Sequence, residues 1–300
     1  FVSSDNLQPR IRQFFYLVED ELKYLPEKPD YDDPYFRVLG VKLWHDGSPY
    51  TGSMFTSSPY LASSLASSLG ITAGSHGEAM FSQAEMQAKI QRYTADGWQV
   101  AIHSQGDASA RAVTQVIKTA GPLTGQLPVL RLEHGVELPV DRIAPLAKMG
   151  VSASFHINHI LYYGDALEDS IIGSRMAQQV LPLRSAFEQG MRPTLHADSP
   201  MFPANPFSLM QTAITRATSS GRTLNAAEAI DIHQALRALT INGAYQLRIE
   251  AQAGSLEPGK WADLLIVDKN PYQVATTDLQ QIKVQAVYLA GQRKYANSDE

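Results

Sequence analysis

Four polar side chains stand at or near the ends of short apolar runs, and all four are of types that bind metal ions or carry protons. They are Lys42, His103, His134 and Asp198. Imidazole nitrogens and carboxylate oxygens coordinate divalent cations, and a carboxylate beside a reacting group can accept a proton. Their joint placement predicts one functional site.

Each residue alone has a simpler interpretation. A histidine at a strand end is more often a structural hydrogen-bonding group than a ligand, and Asp198 before Ser199 and Pro200 fits a helix N-cap. A lysine inside the apolar run 36–44 is costly to bury unless it is paired or modified. The four residues taken together therefore favour a shared site over four unrelated structural roles.

Alternating strand and helix patterns would position these side chains. Strands are predicted for residues 36–44, 98–103, 129–133, 151–155 and 193–197. Helices are predicted for residues 86–95, 108–120, 139–149, 183–189 and 206–217, with a long loop after residue 155. Strands separated by helices form parallel βα units, and functional groups gather at the carboxyl ends of their strands.

The predicted fold class is α/β, in the form of an incomplete (β/α)8 TIM-like barrel with a small β-sandwich tail. An open α/β sheet is the alternative fold for the same order of strands and helices. Residues 1–35 are predicted to be irregular and residues 36–250 to form the later strands of a hydrolase barrel. Residues 251–300 are predicted to form the sandwich portion, with short strands that include residues 254–256.

The composition of the chain limits which partners and which metal ligands are expected. The 300 residues carry a net charge of -5, which argues against nucleic acid as a partner, and no apolar run is long enough to span a membrane. The chain has no cysteine, so any metal must be bound by His, Asp, Glu or a modified Lys. We expect a small-molecule substrate and a cytoplasmic location.

Several short motifs resemble those of the amidohydrolase family of YtcJ-type metal-dependent hydrolases, which includes N-substituted formamide deformylases and exoenzyme regulatory proteins. The resemblance runs from about Phe36 to Tyr295. The motifs are Val41-Lys42 with Asp46-Gly47, Ile102-His103 with Gly106-Asp107, Arg131 with Glu133-His134, Asp198-Ser199-Pro200, residues 240–244, and residues 254–264.

The resemblance implies roles for individual residues. Lys42 matches a lysine that is often carboxylated and bridges two divalent cations, with zinc the expected metal. His103 and His134 match ligands of the second cation, and Asp198 matches an aspartate that is both ligand and proton shuttle. The implied reaction is attack of a metal-activated water on an amide-type C–N bond.

One family feature is absent from the sequence, namely a His-x-His pair on the first barrel strand. The eight histidines are at positions 45, 76, 103, 134, 156, 159, 196 and 233, and no two are separated by one residue. We therefore expect a C-terminal portion of the family fold, weak metal binding and an unmodified Lys42. Open strand edges also predict either a homo-oligomer or a loosely ordered tail.

Secondary candidates surround the four residues. His196 precedes Asp198 by two positions and would share its side of a strand, so it could contact substrate or support the site. His159 and Tyr162, in the aromatic segment 155–163, are predicted to line the substrate pocket, with plain loop packing as the alternative. His45, Asp46 and Asp107 are candidates for supporting hydrogen bonds.

Two non-enzymatic hypotheses remain. A truncated or degenerate amidohydrolase relative could act as a regulatory or binding protein, which the absent His-x-His favours. The lysine in a buried strand argues for the enzyme, since a site without function does not need it. An unrelated α/β binding protein is the third hypothesis.

Overall fold

The computed structural model describes residues 9–29, 31–121 and 128–297. Its centre is a parallel sheet of six strands that pair in chain order. The strands are β1 (Gln13–Val18), β2 (Phe36–Trp44), β3 (Gln99–Ser104), β4 (Leu130–His134), β5 (Val151–Phe155) and β6 (Thr194–Leu195). The sheet is curled, and with its helices it forms half of a TIM-like barrel.

Helices lie between the strands and after the last strand of this sheet. They are α1 (Ser64–Ser68), α2 (Gln83–Ala95), α3 (Asp107–Ala120), α4 (Val140–Lys148), α5 (Asn158–Ala166), α6 (Ser174–Ala177), α7 (Leu183–Glu188), α8 (Pro206–Thr215), α9 (Ile232–Leu239) and α10 (Ile241–Gln246). Helix α2 begins at Gln83, three residues before the predicted start at residue 86, because Ser82 and Glu85 form a capping box. In the parts of the chain described above, no helix combines the length and apolar character needed to cross a membrane.

The two faces of the sheet differ in chemistry because side chains alternate along each strand. On β4, Leu130 and Leu132 are fully buried in the hydrophobic core beneath the helices. The intervening Arg131 and Glu133 line a cavity on the opposite, concave face. The core therefore lies between sheet and helices, and the polar side chains face the inside of the half-barrel.

Two predictions about chain segments are wrong. Residues 1–35, expected to be irregular, contain β1, which pairs in parallel with β2. The run Gln13–Val18 is rich in aromatic and branched side chains, which favour a strand once a neighbour offers hydrogen bonds. The long loop predicted after residue 155 contains α5 and α6. The division into residues 36–250 and 251–300 stays a prediction.

The C-terminal part forms a separate antiparallel sheet of β7 (Leu264–Val267), β8 (Val284–Leu289) and β9 (Gln292–Ala296). We expected little strand pairing in this part of the chain, and the expectation of a loosely ordered tail is wrong for these strands.

The strand predicted at residues 254–256 is also wrong. Gly254 has a φ of +90°, and a Cβ there would lie 2.6 Å from that of Ala244, so the chain turns tightly against α10. Arg12, just before β1, donates two hydrogen bonds of 2.6 and 2.9 Å to Asp263, just before β7, and so links the two sheets.

We predict that Leu132→Ala lowers the free energy of unfolding by about 2–5 kcal/mol, because it leaves a cavity between β4 and the helices. The side chain of Leu132 is 1% exposed. Urea denaturation of the 300-residue chain measures the change. The matched control is Leu69→Ala, at a side chain that is 46% exposed. Equal losses for both variants would contradict this account of the core.

Candidate metal centre

A cavity of about 540 Å³ opens on the concave face of the sheet. Its lining includes three of the four predicted site residues, Lys42, His134 and Asp198, together with His196. The fourth, His103, has its ring centroid 4.4 Å from that of His134. The structure therefore brings the predicted residues to one end of the half-barrel, while their metal-binding role stays a prediction.

The register of the strands explains this convergence. His103 on β3 pairs with Trp44 at the end of β2 and with Glu133 on β4. His134, the last residue of β4, lies beside Ser104. Because the strands are parallel and nearly in step, their last residues meet at the same edge.

Two of the site residues have left-handed backbone conformations. His134 has a φ of 73° and Asp198 a φ of 51°. Such values are uncommon for residues other than glycine and occur often at functional sites. At both positions the chain turns sharply where a strand gives way to a loop. Gly135, with a φ of 58°, continues the turn where a Cβ would lie 3.1 Å from the ring of Phe155.

Five histidine rings form a connected cluster at this edge. The ring centroid of His196 lies 5.0 Å from that of His134 and 5.0 Å from that of His156. His159, in the first turn of α5, lies 4.2 Å from His156 by the same measure. The predicted pocket residues His159 and His196 are therefore neighbours of His134, and His156 links them.

Several ring nitrogens in this cluster are buried and have no hydrogen-bond partner. Within the described residues they are His134 Nδ1, His156 Nε2, His159 Nε2 and His196 Nε2. His134, His156 and His159 each offer one ring nitrogen, and these atoms lie within 4.8 Å of one another. An unpaired nitrogen buried in protein is costly, whereas a divalent cation would use its lone pair. The donor set therefore fits a divalent cation.

Burial keeps these rings neutral. It lowers the pKa of His103 and of His156 to about 4 and that of His196 to about 3. The pKa of His134 and that of His159 are also lowered, first by burial and then by neighbouring histidines. A neutral imidazole has a free lone pair, so the cluster is ready to coordinate a cation at neutral pH.

Lys42 lies near an ion pair between Arg131 and Glu133 that was not predicted from the sequence. Burial lowers the pKa of Lys42, with a smaller lowering from Arg131, while Glu133 and Asp198 raise it. Glu133 is buried and forms a salt bridge with Arg131. Burial raises the pKa of the Glu133 carboxyl, but Arg131, Lys42 and His196 together outweigh it, so the pKa is lowered. Glu133 stands two residues after Arg131, so strand alternation was the signal that could have placed both inside the barrel.

Asp46 organises the backbone beside His103. Its carboxylate accepts hydrogen bonds from the backbone N–H groups of Phe55, Gln105 and Gly106, at 3.0, 2.9 and 2.8 Å. One of its oxygens lies 3.8 Å from His103 Nε2, and that nitrogen lies 3.1 Å from the carbonyl oxygen of Gly47. Burial raises the pKa of Asp46 to about 7 despite these bonds.

The other two supporting candidates also fix loops. His45 Nδ1 lies 2.8 Å from the hydroxyl of Ser109, and Asp107 accepts hydrogen bonds from the backbone and hydroxyl of Ser57. These contacts join the loop after β2 to the start of α3. They hold the segment around His103 in place and do not reach the cavity lining.

Aromatic side chains form the outer wall of the cluster. Tyr162 is half-exposed and stacks on Phe202 with ring centroids 4.4 Å apart. The hydroxyl of Tyr50 contacts His159 Nδ1. Tyr50 lies in a loop rich in Gly, Ser and Pro, and nothing in its sequence context indicated this contact. The predicted placement of Tyr162 near the histidines is consistent with a pocket wall, and its role with substrate stays a prediction.

Comparison with known proteins agrees with the resemblance seen in the motifs. The profile of the Amidohydrolase family matches residues 17–295. N-substituted formamide deformylase of Arthrobacter pascens is 28% identical over 219 residues, which cover 73% of this chain and 40% of that protein. The putative amidohydrolase YtcJ of Bacillus subtilis is 22% identical over 212 residues, covering 70% of this chain and 40% of that one. The chain thus spans about 40% of the length of these relatives.

Solved structures share the fold. An uncharacterised metal-dependent hydrolase from Pyrococcus horikoshii has a TM-score of 0.74 at 24% identity, covering 89% of this chain and 52% of the other. A second one, from Pyrococcus furiosus, has a TM-score of 0.71 at 23% identity, covering 87% and 51%. The family profile covers most of the chain, and the half-barrel sheet with histidines at its strand ends agrees with that match. The chain belongs to the amidohydrolase family.

Proposed function

We propose that this chain carries the greater part of the active site of a metal-dependent hydrolase. The observation that carries the proposal is the group of buried, unpartnered imidazole nitrogens at the carboxyl ends of the strands. Membership of the amidohydrolase family supports it. The regulatory alternative is not favoured, because a binding protein without catalysis has no need of neutral metal donors beside a polar cavity.

The residues proposed to hold divalent cations are His134, His103, Lys42 and Asp198, with zinc as the proposed metal. A bound divalent cation acts as a Lewis acid and makes water a nucleophile at neutral pH. The lowered pKa of Lys42 means that its amine is neutral more often than that of an exposed lysine. A neutral amine can add carbon dioxide to form a carbamate, so we propose that Lys42 is carboxylated when both cations are bound and stays unmodified without them.

Asp198 is proposed to move the proton. Its side chain lines the same cavity as Lys42 and His134, and its left-handed turn directs the residue away from the strand. The carboxylate would accept a proton from the attacking water as the new C–O bond forms. It would then give that proton to the nitrogen of the leaving amine as the C–N bond breaks.

The proposed substrates are small N-acyl amines. The name of the Arthrobacter pascens relative points to an amide-type C–N bond in a substituted formamide. Tyr162 and Phe202 offer a stacked aromatic surface at the edge of the histidine cluster, where an apolar N-substituent could lie. We also propose that the six strands are the later strands of a complete (β/α)8 barrel.

We predict that a chelator abolishes hydrolysis by the complete protein and that Zn²⁺ restores it. Turnover is measured against N-substituted formamides, larger N-acyl amines and matched esters, with the formamides expected to react fastest. His233→Ala, at an exposed histidine on α9, is the matched control and keeps wild-type activity. Full activity after removal of metal would show that the hydrolase proposal is wrong.

We predict different defects for the histidines and for Asp198. His103→Ala or His134→Ala abolishes metal-dependent hydrolysis, because each removes a proposed ligand. Asp198→Asn keeps bound metal but lowers kcat by roughly 10²–10⁴-fold, the contribution typical of a general acid–base group. Metal content and kcat are measured on the same preparations. Normal turnover in Asp198→Asn would place the proton shuttle on another residue.

A further inference from the structure

The three histidines whose donors lie closest together are not the set that the family resemblance suggests. His134 belongs to that set, but His156 and His159 lie in the segment that follows β5. We infer that His134, His156 and His159 form a divalent-cation site of their own, built entirely from this chain. The ligand class is a borderline transition metal that prefers imidazole, with Zn²⁺ first and Co²⁺ or Ni²⁺ as substitutes.

Burial and missing partners mark these nitrogens as ligands. His134, His156 and His159 are 7%, 1% and 2% exposed. His134 Nδ1, His156 Nε2 and His159 Nε2 are buried without a hydrogen-bond partner in the described residues. A histidine that serves only packing would leave such a nitrogen unpaired at a cost in stability, so three beside one another point to a shared ligand.

The second nitrogen of one of these rings is already fixed. The hydroxyl of Tyr50 contacts His159 Nδ1. Metal-binding histidines commonly have the other ring nitrogen held in this way, which sets the ring orientation. If His159 Nδ1 carries the proton and donates it to Tyr50, the lone pair of Nε2 is directed away from that contact.

The backbone holds the three residues at a constant separation. The N–H of His156 donates to the carbonyl of His134 at 3.3 Å, and the N–H of His159 donates to the carbonyl of His156 at 3.2 Å. Ligand nitrogens about 2.0–2.1 Å from a tetrahedral zinc ion lie roughly 3.4 Å apart. The donors lie within 4.8 Å of one another, so they would have to approach by at most about 1.4 Å to reach that spacing.

Three histidines leave one tetrahedral position open, which is the arrangement of zinc sites that also bind water or a ligand. Such a site would not require a His-x-His pair from elsewhere. The expectation of weak metal binding rested on that missing pair, and His156 and His159 supply the replacement donors. The triad depends on donor geometry alone, so it stands whether or not the protein hydrolyses an amide.

The test is calorimetric titration of Zn²⁺ into the metal-free 300-residue chain, with Co²⁺ absorption spectra as the second readout. We expect one Zn²⁺ ion to bind tightly per chain. His156→Ala and His159→Ala should each weaken that binding by more than about 100-fold, since losing a ligand costs more than the 10–100-fold that follows from losing an outer partner. Tyr50→Phe should weaken binding by roughly 10-fold and alter the Co²⁺ spectrum. His233→Ala is the control and should bind as the wild type does.

The effects of His103→Ala and Lys42→Met on Zn²⁺ binding decide which set of residues holds the cation. If either weakens Zn²⁺ binding more than His156→Ala and His159→Ala do, the cation belongs to the other set and the triad is wrong. No binding by the unaltered chain would overturn it as well. Circular dichroism and melting of the metal-free variants check folding, and His159→Gln provides a second variant of similar size. Zinc bound at the triad without any hydrolysis by the complete protein would refute the proposed function and leave the triad intact.

Discussion

The parallel hydrogen-bond ladder from β2 to β5 is the constraint on which the candidate centre depends. It places His103 beside Glu133, and His134 beside Phe155 at the last step of its pairing. Side chains alternate along a strand, so a slip of one residue would exchange the core face for the cavity face. The apolar side chains beneath the helices therefore fix the register, and the register fixes where the histidines meet.

The concave face carries charged side chains that this register places close together. Lys42, Arg131 and Glu133 line its cavity, and Arg131 and Glu133 form a salt bridge. Burial raises the pKa of the Glu133 carboxyl, but Arg131, Lys42 and His196 together outweigh burial and lower it. Glu133 in turn acts on Lys42 against the desolvation that lowers the pKa of the amine. The acid–base state of the lysine is thus set by a balance across two neighbouring strands.

His103 and His134 lie at the ends of β3 and β4 as predicted, because each one interrupts an apolar run, and their metal-binding role stays a prediction. Strand β1 was not predicted, because its pairing with β2 is a long-range contact that local patterning does not carry. Tyr50 was missed for the same reason, since its contact with His159 joins residues from distant parts of the chain. Helix α5 was predicted as loop because Asn158, Gly164 and Asp165 are residue types that favour loops and turns.

The neutral state of the histidines links folding to metal chemistry. Burial disfavours the imidazolium form, so each ring of the cluster is held in the form that retains a lone pair. A buried neutral ring normally uses both nitrogens in hydrogen bonds, yet Nε2 of His156 and Nε2 of His159 have no partner within the described residues. The fold therefore accepts the cost of unpaired donors while it removes the competition of protons for them. A cation that enters the cluster would gain those lone pairs and relieve that cost, so its binding energy would add to the stability of the edge that holds it.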